Sequence, residues 1–350
     1  MYPKASHWQL LWQRLRRSLK VLRGHSQRAG WLAALLLWSA TTQAQTELRS
    51  GAVSADSTDS VTSVGAVPPV AATGLRAAWA PAPDRRRVRL VALGIGSGAA
   101  AVVVGLGATW YTGPRTPFHW FDDSREWAQM DKAGHIWGTF QESRAAVDRL
   151  RWAGLPRGRA ALWGAGVGLA LQGTIEYFDG RSPGYGASAT DLAANAVGAA
   201  LFAGQVALWD QPRLWPKMGV HYTPFARLRP NTLGNNALAR LLKDYNGQTH
   251  WLSADVGAFL GPAIRWPRWL HVAVGYGAEN LVYGEPATNR AAGYHVVRQF
   301  YIGPDLHLLN LRTRHKALQR LFYVLSIIRL PAPALEVRST GGVRFHALYF

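Results

Sequence analysis

Two long apolar segments joined by a short connection restrict the fold of this chain more than any other feature. Residues 158–178 read GRAALWGAGVGLALQGTIEYF, and residues 189–209 read ATDLAANAVGAALFAGQVALW. Each segment is long enough for about six helical turns. The connection, DGRSPGYGAS at residues 179–188, consists mainly of residues that favour tight turns. The sequence therefore predicts two helices, with the end of the first beside the start of the second.

Two further helices are predicted before this pair. Residues 131–152 carry apolar side chains at helical spacing, among them Ile136, Phe140, Val147 and Leu150. Leu90 to Tyr111 contains no charged residue over 22 positions, which is enough to cross a bilayer as a helix. Small residues in that run also suit a helix buried in a core, and both interpretations stay open. Arginines just before the run would begin outside the membrane of an exported protein, against the positive-inside tendency.

The composition of the chain changes after Trp209, where prolines recur at positions 212, 216, 224 and 230. A short helix is predicted at 236–244 and another near 315–328, and several strand-like segments follow residue 251. These segments are too few to predict a closed barrel, so we expect a small sheet. The predicted fold class is mainly α: a bundle of about four apolar or amphipathic helices, followed by a mixed α+β C-terminal region.

The first 44 residues have the composition of a secretory signal peptide. They hold seven basic residues and no acidic one, then the apolar run GWLAALLLW and the small-residue exit SATTQA. Residues 45–83 are rich in Ser, Thr, Ala, Gly and Pro, and we predict a disordered linker there. The predicted organisation is a signal peptide (1–44), a linker (45–83), a helical core (84–210) and a mixed region (211–350).

Composition narrows the classes of function. Removing the predicted signal peptide lowers the formal net charge from +19 to +12, which still favours acidic lipid headgroups as neighbours. No nucleic-acid-binding motif occurs, and we expect no nucleic-acid partner. The chain contains no cysteine, which excludes disulfides, thiolate metal sites and cysteine nucleophiles. The mean hydropathy of −0.07 is too polar for a protein made mostly of membrane spans.

Polar residues occur four apart on each of the three central helices. Asp131 and His135 lie on the first, Gln172 and Glu176 on the second, and Asp191 and Asn195 on the third. Residues four apart share one face of a helix, and the short connection brings Glu176 near Asp191. The sequence therefore predicts a cluster of one imidazole and several carboxylates. The candidate site residues are His135, Glu176, Asp191, Asp131, Asp179 and Asn195.

Three roles are open for this cluster. It can be a buried hydrogen-bonded network that fixes the helix register, because buried polar groups must be paired. It can carry acid–base chemistry, with His135 titrating near neutral pH and Glu176 or Asp191 orienting it. It can also bind a metal, although a single histidine is unusual for zinc. The sequence names no cofactor.

The order of these motifs resembles a known family. DKAGH followed by EYFDGRSPGYGASATDLAANAVGA is similar to the YfiM-like family of uncharacterised bacterial periplasmic or envelope lipoproteins, and more distantly to the VanZ-like membrane proteins. KDYNGQTHWLS, GYGAEN and LPAPALE resemble its long-form members. The resemblance implies an exported, envelope-associated helical domain with Asp131, Lys132, His135, Glu176, Asp179, Gly180, Asp191 and Asn195 as defining positions. It implies no established activity.

A lipoprotein needs a cysteine at its signal cleavage site, so membrane attachment here would depend on residues 88–111 or another apolar surface. We therefore expect an exported protein in the periplasm or at the outer membrane, with a structural or interaction role. The alternative is an envelope hydrolase or transferase acting on lipid or glycan, with His135 as its base. Membrane or envelope components are the expected partners.

Overall fold

The computed structural model describes residues 83–109, 111, 113–260 and 264–350. The predicted signal peptide, and the predicted linker up to residue 82, lie outside the described residues. In the described part the α-helices are α1 (Arg85–Thr109), α2 (Met130–Trp152), α3 (Arg157–Asp179), α4 (Ala189–Trp209), α5 (Pro230–Leu233), α6 (Ala237–Lys243), α7 (Val256–Leu260), α8 (Pro286–Ala291) and α9 (Lys316–Leu325). The strands are β1 (Leu214–Val220), β2 (Gln248–Ala254), β3 (Leu270–Glu279), β4 (Val297–Leu306), β5 (Ala332–Arg338) and β6 (Val343–Tyr349).

The chain divides into two compact units. Among the described residues, one unit contains residues 93–109 and 111, and the other contains residues 83–92, 113–260 and 264–350. The first unit is the greater part of α1, a helix whose segment Arg85–Gly107 is long and apolar enough to cross a membrane. Only 11% of its most apolar window is buried.

Helices α2, α3 and α4 form a layer in which each helix contacts the other two. Their bounds agree with the predicted segments to within one residue. Gly168 allows α3 to approach α2 closely, because a Cβ atom there would lie 2.4 Å from Ser143 Oγ and 2.9 Å from the carbonyl oxygen of Thr139. Small residues at a helix contact let two backbones come together in this way.

The C-terminal region is mixed, as predicted, but its sheet makes the whole protein mixed α and β rather than mainly α. Strands β1 to β6 form one antiparallel sheet in which every strand pairs with its sequence neighbour, so the order is β1-β2-β3-β4-β5-β6. The protein is therefore a helical N-terminal region followed by a six-stranded antiparallel sheet. Pro216, which reads as a break in the sequence, pairs with Leu252 within β1. Proline is tolerated there because β1 is the first strand of the sheet.

The sheet curls until its two ends come together. Met218 of β1 forms a parallel bridge with Ile328, just before β5. Phe350, just after β6, accepts a hydrogen bond from the indole nitrogen of Trp251 on β2. Gly219 makes this approach possible, since a Cβ atom there would lie 2.1 Å from the carbonyl carbon of Phe350.

The helix layer packs on β1 and β2. Gln141 of α2 donates a hydrogen bond to the carbonyl of Pro216 at 2.8 Å, and Trp137 donates to the carbonyl of Ile327 at 2.9 Å. The buried rings of Phe140 and Phe202 meet edge to face, with centroids 5.1 Å apart, and Trp215 of β1 lies 6.1 Å from Phe140. This aromatic contact is the core between the helices and the sheet.

Candidate functional site

The turn between α3 and α4 places two carboxylates side by side. Glu176 lies in the last turn of α3 and Asp191 in the first turn of α4. Ser188 caps α4: its hydroxyl oxygen accepts the backbone N–H of Asp191 at 3.1 Å. The backbone N–H of Ser188 in turn donates to Glu176 Oε2 at 2.9 Å. One capping residue thus holds both acids at the same end of the helix pair.

Helix α2 adds an imidazole to this group. His135 Nε2 lies 3.6 Å from Glu176 Oε1, 3.8 Å from Asp191 Oδ2 and 3.8 Å from Asp131 Oδ1. Its other ring nitrogen, Nδ1, lies 3.0 Å from Asn195 Oδ1. Because that oxygen can only accept, Nδ1 carries a proton and donates it.

A lysine neutralises part of the cluster. Lys132 Nζ lies 2.7 Å from Asp123 Oδ2, 2.9 Å from Asp191 Oδ1 and 3.3 Å from Asp131 Oδ2. The hydroxyl groups of Ser188 and Thr190 also donate to Asp123, at 2.5 and 3.0 Å. Asp123 therefore ties the segment before α2 to the cap of α4.

Burial changes the protonation of these groups. It raises the pKa of Glu176 to about 7, and together with the charge of Asp131 it raises the pKa of Asp191 to about 7. Burial lowers the pKa of His135, but the surrounding carboxylates outweigh it, so this pKa is above its ordinary value. The pKa of Lys132 is also raised, because its carboxylate neighbours outweigh its burial.

The structure brings five of the six predicted site residues into contact: His135, Glu176, Asp191, Asp131 and Asn195. The sixth, Asp179, ends α3, and its charge contributes to raising the pKa of Glu176. Any catalytic role for these residues stays a prediction.

Asp123 and Tyr245 are members of the cluster that the sequence analysis missed. The phenol of Tyr245 donates a hydrogen bond to Asp131 Oδ1 at 2.8 Å. Tyr245 belongs to the KDYNGQTHWLS segment that resembles long-form family members, which was the only available signal for it. Asp123 lies in the acidic pair before α2, and nothing in its spacing connects it with α4.

The interior of the curled sheet is a second polar region. Lys217 Nζ lies 2.6 Å from Asp305 Oδ2, which also accepts a 2.6 Å hydrogen bond from Ser253. Glu336 accepts hydrogen bonds from Gln299 at 3.0 Å and pairs with His346 at 2.7 Å. These side chains share the concave side of the sheet with a buried apolar cluster of Trp251, Ala273, Tyr301 and Ala334.

Comparison with known proteins gives one match, to a family model that covers part of the helical region. Residues 119–205 match the family DUF2279, described as a predicted periplasmic lipoprotein. The matched segment contains the whole helix-borne cluster from Asp123 to Asn195, but not the sheet. No curated protein and no solved structure matches the chain.

The match supports an exported protein of an uncharacterised envelope family. The finer resemblances to the YfiM-like and VanZ-like families stay predictions.

Proposed function

We propose that this is an envelope protein seated in a lipid bilayer through the outer face of its sheet, with a structural or interaction role. The observation that carries the proposal is the apolar and exposed outer face of the sheet. Its convex face is apolar and exposed along five strands, with the side chains of Leu252, Val272, Val274, Phe300, Ile302, Leu306, Leu335, Val337, Val343 and Phe345 each more than one third exposed. We call these ten residues the outer apolar face.

The concave side is mixed, because it holds buried ionisable side chains beside the apolar cluster of Trp251, Ala273, Tyr301 and Ala334. Lys217, Asp305 and Glu336 are each at most 1% exposed, although all three are ionisable. Strands with polar residues inside and apolar residues outside are typical of sheets that face lipid. A sheet in water buries its apolar side instead. Hydrocarbon is therefore the surrounding that fits both faces.

The dimensions favour insertion into one leaflet. On β4 the outer apolar face extends from Phe300 to Leu306, seven residues and about 20 Å. The hydrocarbon core of a bilayer is about 30 Å thick, so the face is too short to cross it. Next to Leu306 at the same end of the sheet, Arg265, Arg268 and Trp269 are exposed. Tryptophan and arginine are suited to the headgroup region at the edge of an inserted surface.

The exposed apolar area is large enough to hold the protein at a membrane. Complete burial of one such side chain contributes about 1.5–3 kcal/mol, and these are about half exposed, so ten of them contribute roughly 10 kcal/mol. A single myristoyl chain binds a membrane with a constant of about 10⁴ M⁻¹, which corresponds to between 5 and 6 kcal/mol. By this comparison, the outer apolar face alone provides enough apolar surface to hold the protein at a membrane.

Three helices add apolar surface of the same kind. Residues 160–175 of α3 and 192–209 of α4 contain no charged residue, and they expose Leu162, Trp163, Val197 and Leu208. The segment Arg85–Gly107 of α1 is apolar enough to insert as well. We propose these helices as secondary membrane contacts.

Vesicle flotation tests the proposal. The full chain, purified in detergent, is mixed with phosphatidylethanolamine–phosphatidylglycerol vesicles, the detergent is removed, and the floated fraction is measured in low and high salt. The test variant combines Val274→Glu with Ile302→Glu, which are directly paired on β3 and β4. The control combines Tyr222→Glu with Leu228→Glu, which are equally exposed but lie outside the sheet.

We expect the wild type and the control to float even in high salt, because the contact is apolar. The affinity of the test variant for the vesicles should be at least about tenfold lower. Wild-type protein that stays soluble without detergent and does not float would contradict the proposal. So would a folded test variant that floats like the control.

A second candidate is the hydrolase or transferase predicted as the alternative, favoured by the proximity of His135 to Glu176 and Asp191. In that case His135→Ala would stay folded and vesicle-bound, while release of headgroups or acyl chains from the vesicles stops. Equal release by the wild type and this variant would reject it.

A further inference from the structure

The space in front of His135 Nε2 is enclosed by oxygen atoms at nearly equal distances. Asp131 Oδ1, Glu176 Oε1 and Asp191 Oδ2 lie 3.6–3.8 Å away, too far for hydrogen bonds to the ring. A metal ion binds nitrogen and oxygen ligands at about 2.0–2.2 Å, and a tetrahedral set then separates its ligand atoms by roughly 3.3–3.6 Å. The three distances from His135 Nε2 are close to such separations, and the ligand atoms of Asp131, His135 and Asp191 all lie within 4.8 Å of one another.

The orientation of the imidazole also fits a metal ligand. Asn195 Oδ1 accepts the Nδ1 proton of His135, so in the neutral ring the Nε2 lone pair points at the three carboxylate oxygens. A lone pair opposite three anionic oxygens is repulsive unless a proton or a cation lies between them. Metal-bound histidines characteristically donate their second ring N–H to a fixed oxygen in this way.

A buried oxygen without a partner points to the same place. Glu176 is 3% exposed, and its Oε1 accepts no hydrogen bond within the described part of the chain. Leaving a buried acceptor unpaired costs about 1–3 kcal/mol. This is the oxygen nearest to His135 Nε2, at 3.6 Å.

The charge of the cluster leaves room for a dication. Four carboxylates, those of Asp123, Asp131, Glu176 and Asp191, face one lysine, and Asp179 adds further negative charge nearby. When all four acids are ionised, a proton on His135 would still leave them in excess by two charges. A divalent cation beside a neutral imidazole reduces that excess to one.

We propose that His135, Asp131, Glu176 and Asp191 bind one divalent first-row transition-metal ion. An imidazole among carboxylates selects Mn²⁺ or Zn²⁺ over Mg²⁺ and Ca²⁺, which prefer ligand sets made only of oxygen. Lys132 holds Asp191 and Asp131 in place from the side away from His135, and Tyr245 orients Asp131. The site is independent of how the sheet meets a membrane.

Metal binding to the purified full chain in detergent tests this inference. The protein is stripped with a chelator and dialysed against Zn²⁺, Mn²⁺ or Mg²⁺, and the bound metal is counted by elemental analysis. The thermal midpoint is recorded in parallel. We expect one equivalent of Zn²⁺ or Mn²⁺ and a higher midpoint, with no stoichiometric Mg²⁺.

Matched variants locate the site. Glu176→Gln keeps the shape of the side chain and Asp131→Asn changes a more exposed ligand, and each should weaken binding about tenfold or more. His295→Ala, which removes an exposed histidine outside the cluster, should bind like the wild type. Folded wild-type protein that binds far less than one equivalent of both Zn²⁺ and Mn²⁺ would overturn the inference. Unchanged binding by whichever of the two ligand variants folds would overturn it as well.

Discussion

Replacing Lys217 by methionine tests whether the interior of the sheet is as polar and as dry as the structure shows. Lys217 is 1% exposed, and its ammonium group is bound by Asp305 Oδ2 at 2.6 Å and the carbonyl of Leu306 at 2.9 Å. Lys217→Met leaves Asp305, which is also 1% exposed, with the Ser253 hydroxyl as its remaining hydrogen-bond donor among the described residues.

The expected cost follows from the uncompensated carboxylate. Removing one partner of a buried ion pair destabilises a protein by about 3–5 kcal/mol. For a domain of this size, each kcal/mol lowers the melting temperature by about 2–4 °C, so we expect a decrease of about 10 °C. The double variant Lys217→Met/Asp305→Asn removes both charges of the pair and should recover more than half of the loss, since neither partner is left as an uncompensated charge.

Urea unfolding followed by tryptophan fluorescence measures the free energy of unfolding of the single and the double variant, because Trp251 and Trp215 lie in or beside the sheet interior. Lys316→Met, which removes an exposed lysine on α9, is the control and should change stability by less than about 0.5 kcal/mol. Surface substitutions spread over about 1 kcal/mol in the free energy of unfolding. If the free energies of Lys217→Met and the control differed by less than that, the argument for a buried, unhydrated ion pair would fail.

Two further predictions concern the helix layer. Gly168→Ala should destabilise the protein by about 1–3 kcal/mol, because its Cβ would press on the α2 backbone, whereas Gly166→Ala meets no atom within 4 Å and should be neutral or slightly stabilising; equal unfolding midpoints for the two variants would contradict the close contact. Burial raises the pKa of Glu142 to about 8, above its unfolded value, so its contribution to stability is complete below about pH 4.5 and is lost as the pH rises through 8. Glu142→Gln should therefore be more stable than the wild type at pH 9 and show a flatter dependence of unfolding free energy on pH; parallel pH profiles would refute this.

The helical half could be predicted from the sequence because its signals are local. An apolar run, a turn-rich connection and the i, i+4 spacing are each readable within about twenty residues. These signals were enough to predict that Glu176 lies beside Asp191, since the connection of ten residues leaves the two helix ends little freedom. Asp123 and Tyr245 could not be predicted as members of the cluster, because only tertiary packing brings them to it.

The sheet was underestimated for a different physical reason. Alternation with period two marks a strand, but it does not say which of the two faces is buried. Lys217, Asp305 and Glu336 interrupt apolar stretches and read as exposed positions, whereas they are the interior of the sheet. Pro216 suggested a chain break in a segment that is an edge strand.

The closure of the sheet has a consequence for the speed of folding. Trp137 and Ile327, which join the helix layer to the strand bridge, are 190 residues apart in sequence, and Trp251 and Phe350 are 99 apart. Contacts of such long sequence separation form slowly, because much chain entropy is lost before they contribute any stabilisation. We therefore expect the ends of the sheet to join late in folding, after the helix layer, whose contacts span shorter stretches of sequence, has formed.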